Sequence, residues 1–423
     1  MDAAVLTLII LGVSLILFVS EVLPMGITAF LVSLTLYLSH IIDAKTLFGS
    51  LANTNVVIVV AMCVIGKAFF NTGMAYKTGR LITRFTKSER WLTIAIMMVS
   101  GIMSGFLSNT GTVAVLMPVV IGIARVRNIQ PIKLLIPLTT AATIGADLSI
   151  AGSPGNLIAK STIEQMSNGT LTVSFFEYSK IGVPLLVIVT LFMGLVGYKL
   201  IPDREADSSI VVESTNYDNV PVWKANLSLA VLAVTIIGMV LSDSIKWLPP
   251  LHIIASMGAA FLVVTGVLSQ KEAFDSIEMQ VVFLVAFMLP LGTALSTTGA
   301  GKMLANMVIQ ITGKNSPLLL LTVLYTLTWI MTQFMSNTAT CTLLCPVGWQ
   351  IAEAMGADPR AVVIAILIAS SAAVCTPLAI PANAMIMGPS NIRFKDFIVP
   401  GLATSLVCAV ISIILLPIFY PFY

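Results

Sequence analysis

In an apolar chain the residues able to do chemistry are the polar interruptions, and here they come in pairs. Ser108-Asn109-Thr110 stands between two oily runs in FLSNTGTVAVLMPV. Ser336-Asn337-Thr338 stands in FMSNTATCTLLCPV, with a proline at the same offset. About 45 residues after each triplet comes a second interruption, Ser153-Pro154-Gly155-Asn156 and then Ile380-Pro381-Ala382-Asn383. Proline lacks an N–H and glycine tolerates unusual torsions, so these predict breaks in otherwise apolar helices. An unpaired backbone group in hydrocarbon costs several kcal/mol, so tips and breaks survive only inside protein or beside a cavity. Each one frees a half-helix N-terminus, whose N–H groups and positive dipole end suit an anion. The freed carbonyls, with Asn and Ser/Thr oxygens, suit a hard cation such as Na⁺. Thr110 and Thr338 are placed to cap the outgoing helices. The expectation is two tips and two breaks meeting near the membrane midplane around one anion, with cations beside it.

The elements that must position these residues follow from composition. The 423 residues are 57% hydrophobic and 10% charged, against about 25% charged in soluble domains. Apolar runs of spanning length recur from end to end, which makes the chain an all-α polytopic membrane protein. A net charge of +3, with no basic cluster interleaved with aromatics, gives no footprint for nucleic acid. Asp2 and the absence of a basic residue before the first apolar run argue against a cleaved signal peptide. The five cysteines all lie in apolar segments and read as small buried side chains rather than disulfides. His40 and His252 stand without Cys or carboxylate companions and are poor candidates for a metal centre. Lys67, near the expected cytoplasmic end of its helix, is expected to snorkel.

Four segments repeat in order at offsets of about 225–228. VVIVVAM (56–62) matches VVFLVAF (281–287), and NTGMAYKTGRL (71–81) matches TTGAGKMLANM (297–307). The Ser-Asn-Thr triplets and the SPGN/IPAN breaks complete the set, which predicts a duplication. The halves are 1–201 and 224–423, joined by the polar linker 202–223. Each half holds five crossings, a re-entrant hairpin (91–124, then 317–356) and a broken helix (131–167, then 360–390). Five is odd, so the second half must sit upside down, the inverted-topology plan of secondary transporters. Charge agrees. The stretch before the first hairpin carries Lys77, Arg80, Arg84, Lys87 and Arg90, whereas its counterpart carries Lys302 and Lys314. The positive-inside rule then puts the first stretch in the cytoplasm and both termini outside, in a cell (inner) membrane.

At these residues the sequence resembles the divalent anion/sodium symporter family, the transporters of dicarboxylates, tricarboxylates and sulfate. Paired Ser-Asn-Thr hairpins and paired (Ser/Thr)-Pro-x-Asn breaks carry the resemblance over nearly the whole chain. It implies a homodimer in the lipid bilayer, with a scaffold domain and a transport domain that moves like an elevator. It implies one sodium site at Ser104, Ser108, Asn109 and the backbone near Gly152. A second would use Thr332, the backbone of Met335, Asn337 and the backbone near Ala379. The substrate would touch Ser108, Asn109, Thr110, Ser153 and Pro154, then Ser336, Asn337, Thr338 and Pro381. Na⁺ is the only ion implied, as a coupling ion rather than a cofactor.

The sequence departs from that family in three places. It starts later, leaving ten crossings. Ile380 stands where members commonly carry Thr, removing a hydroxyl from the second break. Asp147 sits in the helix just before the first break, where members have a small uncharged residue. An ionisable group within the membrane is a functional hypothesis by default. Asp147 has two readings, a cation- or proton-coupling group or a hydrogen-bonded tie between helices. The former opens an alternative, a sodium/proton antiporter or a proton-coupled anion transporter. A membrane enzyme is disfavoured, because an intramembrane aspartyl protease needs two facing Asp and only Asp147 lies deep. A channel is the remaining rival, since broken helices also line pores.

Overall fold

The computed structural model describes all residues except 1, 21, 82–87, 205–219, 243, 246, 313–315, 379 and 391. Its helices fall into two series of ten. The first is α1 (Ala3–Ser20), α2 (Met25–Leu38), α3 (Ala44–Gly49), α4 (Thr54–Asn71), α5 (Met74–Leu81), α6 (Glu89–Ser104), α7 (Asn109–Val126), α8 (Ile132–Gly145), α9 (Pro154–Met166) and α10 (Ser179–Leu195). The second is α11 (Val222–Ser242), α12 (Leu251–Val264), α13 (Gln270–Asp275), α14 (Met279–Thr298), α15 (Ala300–Thr312), α16 (Pro317–Thr332), α17 (Asn337–Ala354), α18 (Pro359–Ser371), α19 (Pro381–Ser390) and α20 (Ile398–Phe419). Each helix of the first series has its counterpart ten places later. The short α3 and α13 were not anticipated. Their signal was in the caps: Asp43 accepts the Thr46 N–H at 2.8 Å, and Ser269 and Glu272 form a reciprocal capping box.

The repeats run in opposite directions. At the end of α4, Asn71 donates to Glu272 of α13 at 3.2 Å, just before α14 begins. At the other end, Asn55 of α4 donates to Ser161 of α9 at 2.7 Å, while Gln165 of α9 donates to Thr293 of α14 at 2.7 Å. The end of α4 thus lies beside the start of α14, and the start of α4 beside the end of α14. Two packed groups result. In one, α2 lies along α14, where Ser33 donates to the Phe287 carbonyl and the Phe30 and Phe287 rings meet at 4.9 Å. Its pseudo-symmetric twin is α12 along α4, and α1 and α11 complete the group. The other group holds the hairpins α6–α7 and α16–α17 and the broken helices α8–α9 and α18–α19, with α10 and α20 packed against them.

Two basic residues meet carboxylates at the end of the molecule where the linker leaves α10. Lys133 pairs with Asp203 at 3.1 Å, and Arg204 forks onto both oxygens of Asp396 at 2.9 and 3.0 Å. Lys180 and Arg360 lie at the other end of α10 with Glu177, Asp358 and Tyr420. Arg84, Lys87, Lys314 and most of the 202–223 linker fall outside the described residues. The five cysteines are free, although Cys341 and Cys345 sulfurs lie 3.3 Å apart, one helical turn apart in α17.

Candidate functional site

The two hairpin tips have the same backbone. Ser108 (φ −62°, ψ 142°) caps α7 by accepting the Gly111 N–H at 3.1 Å. Ser336 (φ −62°, ψ 143°) caps α17 by accepting the Ala339 N–H at 3.1 Å. The expectation that Thr110 and Thr338 would cap these helices is therefore wrong. The helices begin at the Asn, so each Thr already lies inside the first turn, and the extended residue before the helix is the Ser. Asn109 Oδ1 accepts the Thr110 N–H at 2.7 Å. Asn337 Oδ1 accepts the Thr332 hydroxyl at 3.0 Å.

The breaks are wider than the sequence suggested, and they are stapled. The helix α8 ends at Gly145 and α9 starts at Pro154, while α18 ends at Ser371 and α19 starts at Pro381. Proline opens each second half-helix, where its missing N–H is not needed. Asn156 donates to the carbonyls of Ala146 (2.7 Å) and Ser149 (2.5 Å), closing the gap from inside. Asn383 donates to the carbonyls of Ala373 (3.3 Å) and Thr376 (3.0 Å), the same positions 227 residues on. Ser149 donates to Gly105 O at 2.6 Å and Thr376 to Gln333 O at 2.7 Å, lacing each break to the hairpin arm of its own half. Ser149 and Thr376 were missed, and Asn156 and Asn383 were read as members of the break motif without this bonding role. Their signal was recurrence of a hydroxyl and an amide at one offset.

A cavity of about 520 Å³ collects the tips and breaks. Ser108, Asn109, Thr110, Ser153, Pro154, Ser336, Asn337, Thr338 and Pro381 all border it, as do Gly152 and Ile380. The opposite wall comes from α2, α4 and the α13–α14 junction, so the cavity lies between the two packed groups. Ser336 Oγ also reaches across to Met25 Sδ at 2.9 Å.

Ser104, Thr332 and Met335 lie behind the tips rather than on the cavity wall, and all three are fully buried. Ser104 Oγ has no hydrogen-bond partner among the described residues. A β-carbon on Gly152 would lie 2.2 Å from Ala146 O and 2.9 Å from Ser104 O, so only glycine lets these backbones close up. An orphan hydroxyl beside crowded carbonyls is a donor set that fits a small hard cation. In the second half the Thr332 hydroxyl lies 3.0 Å from Asn337 Oδ1 and 2.8 Å from Ser370 O, again an oxygen cluster. Ala379 is outside the described residues.

Two charged residues need new descriptions. Asp147 is not in the helix before the break. It lies in a 3₁₀ turn (Ala146–Leu148) within the break, because α8 stops early. It is 1% exposed and accepts the Ser371 hydroxyl at 2.9 Å, and Ser371 borders the cavity. Lys67 is half-buried. It borders the cavity with Met62, Cys63, Gly66 and Phe70 of the same helix face.

An all-helical, multi-pass membrane protein whose paired tips and breaks converge on one cavity between two groups of helices is built as a transporter. The citrate transporter (CitMHS) family model matches residues 15–344 and 249–422, and the chain belongs to that family. It is similar to an uncharacterized transporter of Synechocystis, 28% identical over 211 residues, which takes in 50% of this chain and 34% of that one. It is also similar to the sodium-dependent high-affinity dicarboxylate transporter 3 of Caenorhabditis elegans, 22% identical over 93% of this chain and 79% of that one. Among solved structures, the YdaH transporter of Alcanivorax borkumensis superposes with a TM-score of 0.67 over 89% of each chain at 18% identity, a likeness of fold. The family and these relatives are transporters, not enzymes.

Proposed function

We propose that this chain is a sodium-coupled symporter of a divalent anion, of the dicarboxylate or sulfate type. The observation that carries the reading is the convergence of two capped tips and two stapled breaks on one cavity, each tip backed by a buried oxygen cluster. The N-termini of α7, α9, α17 and α19 supply N–H groups and positive dipole ends to the anion. Ser108, Asn109, Thr110, Ser153, Ser336, Asn337 and Thr338 add hydroxyls and amides, while Pro154 and Pro381 shape the wall. Na⁺ at Ser104, Asn109 and the Gly152 backbone, and at Thr332, Asn337 and the backbone near Met335 and Ala379, supplies the remaining neutralisation. The two fluxes are thereby coupled. Similarity to the Caenorhabditis elegans relative, named as a sodium-dependent dicarboxylate transporter, supports this substrate class.

The cavity's position between two packed groups of helices supports an elevator-like alternating-access motion, in which the hairpins and broken helices move against α1–α4 and α11–α14. In this reading the repeats are 1–201 and 224–423, and the 202–223 linker is cytoplasmic. Both termini face outward from a cell (inner) membrane, and the protein works as a homodimer.

The test is uptake of labelled succinate and labelled sulfate into proteoliposomes, with an inward sodium gradient and with potassium in its place. Sodium-dependent accumulation of either is expected, and its loss in Asn109→Ala. Downhill leak of the anion without accumulation would instead fit a channel, and no sodium dependence would overturn the coupling.

Asp147 favours a second reading, proton coupling. It is buried, its hydroxyl partner Ser371 borders the cavity, and it takes part in no ion pair among the described residues. Uptake driven by a pH gradient without sodium, lost in Asp147→Asn, would establish it.

A further inference from the structure

The cavity holds one cation that neither the tips nor the breaks account for. Val59, Met62, Cys63, Gly66, Lys67 and Phe70 border the cavity at spacings of three, one, three, one and three, which is one face of a helix. On this face Gly66 and Phe70 flank the first hairpin tip. A β-carbon on Gly66 would lie 3.8 Å from the Leu107 side chain, and one on Gly111 would lie 2.4 Å from the Phe70 ring. Lys67 follows Gly66 directly and precedes Phe70 by three residues, so it stands beside the tip that carries Ser108, Asn109 and Thr110.

Lys67 is half-buried and takes no part in an ion pair among the described residues. Of the other described basic residues that are not exposed, Lys133, Lys160, Arg204 and Arg360 each hold a carboxylate, and Lys224 lies over the Trp223 ring. Two further charged residues border the cavity, Asp275 and Glu278, both exposed and both at the α13–α14 junction. Glu278 approaches Cys63, one turn earlier on the α4 face. Neither carboxylate comes within 4 Å of the Lys67 ammonium.

The repeat makes the charge one-sided. At the 225-residue offset that aligns VVIVVAM with VVFLVAF, the counterpart of Lys67 is Gly292, which packs against Pro346. An otherwise two-fold arrangement of tips, caps and breaks thus has a fixed positive charge in one half only. An anion with two equal ends therefore meets unequal partners.

We propose that Lys67 is a specificity-determining residue of the cavity. Its ammonium takes one carboxylate of a dicarboxylate whose other end is held at the hairpin tips, so the site selects anions charged at both ends. This rests on the reading that the cavity binds a divalent anion. A partly desolvated cation without a partner is costly to maintain, and a carboxylate arriving there gains a charge-assisted hydrogen bond. A ligand with an uncharged second end leaves the ammonium unpaired, and that asymmetry is what gives a site its discrimination.

The test uses the purified full-length protein in sodium, with succinate and its mono-amide as probes in calorimetric titrations. Wild type is expected to prefer succinate. In K67Q that preference should fall by roughly 10-fold to 100-fold, the range for a lost hydrogen bond between charged groups, while K67R retains most of it. Acetylation of Lys67, read by mass spectrometry on wild-type protein, gives a second readout that needs no variant. Succinate should protect Lys67 and the mono-amide should not. Wild-type preference in K67Q, or acetylation indifferent to succinate, would overturn the role of Lys67 and leave the transport reading standing. A wild-type protein that binds neither succinate nor, in a parallel titration, sulfate would overturn both.

Discussion

Asn156→Ala tests the idea that each break is held open by a staple rather than by proline alone. Asn156 is fully buried, and its Nδ2 meets Ala146 O at 2.7 Å and Ser149 O at 2.5 Å. Alanine removes the donor and leaves two buried carbonyls without it, at about 1–3 kcal/mol each, or roughly 2–6 kcal/mol together. It also frees the Ser153 hydroxyl, which donates to Asn156 Oδ1 at 2.9 Å, so a cavity residue loses its orientation. The second break gives an internal comparison. The Asn383 bonds are longer, 3.3 and 3.0 Å, and the first lies beyond the usual N–H···O range. Asn383→Ala should therefore cost less than Asn156→Ala. Asn156→Asp should be at least as damaging as alanine, because it turns an oxygen toward both carbonyls. The assay is thermal unfolding of purified protein in detergent, alongside uptake in proteoliposomes. A melting midpoint for Asn156→Ala equal to wild type, or a larger loss for Asn383→Ala, would refute the staple.

Three further outcomes are expected. Gly152→Ala should abolish sodium stimulation, since its β-carbon would sit 2.2 Å from Ala146 O, whereas Gly122→Ala, with nothing within 4 Å, should behave as wild type. Uptake against sodium concentration checks both. Ser108→Ala and Ser336→Ala each remove a cap worth about 1 kcal/mol, so each should lower the melting midpoint, and Thr110→Ala should lower it less. The last concerns pH. Burial pushes the Glu177 carboxyl up, but hydrogen bonds from Lys180 and Tyr420, the Lys180 charge and the Ser174 hydroxyl outweigh it and hold it below the usual carboxylate range. A depressed folded-state value contributes stability that is complete above the unfolded value of about 4.3 and is lost as pH falls through the folded one. Wild type should therefore outlast Glu177→Gln in melting experiments near neutral pH, and the gap should close as pH falls below about 4. A gap that widens on acidification would show the sign to be wrong.

Much was legible in the sequence because the bilayer punishes polar backbone. A chain in hydrocarbon has few ways to pair its N–H and C=O groups, so apolar runs had to be helices and polar interruptions had to be tips or breaks. Duplication supplied the rest, since two copies of Ser-Asn-Thr and of Pro-x-Asn at one offset mark positions that a single copy would leave ambiguous. On that basis the helical class, the repeats and the tip and break residues that border the cavity could be named beforehand.

What the sequence could not supply was which atom of each motif meets which partner. The capping role passed from Thr110 and Thr338 to Ser108 and Ser336 because it depends on where the first helical residue falls, a matter of one position. The breaks began earlier than their prolines suggested, because α8 and α18 end where Ala146 O and Ala373 O turn to meet an asparagine amide 10 residues ahead. That shift moved Asp147 from helix to break. Lys67 reads as a snorkelling residue on an isolated helix, and only the packing of the α4 face on the first hairpin tip makes it part of the cavity wall. Local physics decides what the chain can form at each position, because hydrocarbon penalises every unpaired backbone group there. Tertiary structure decides which freed groups face one another, because that depends on how distant helices pack.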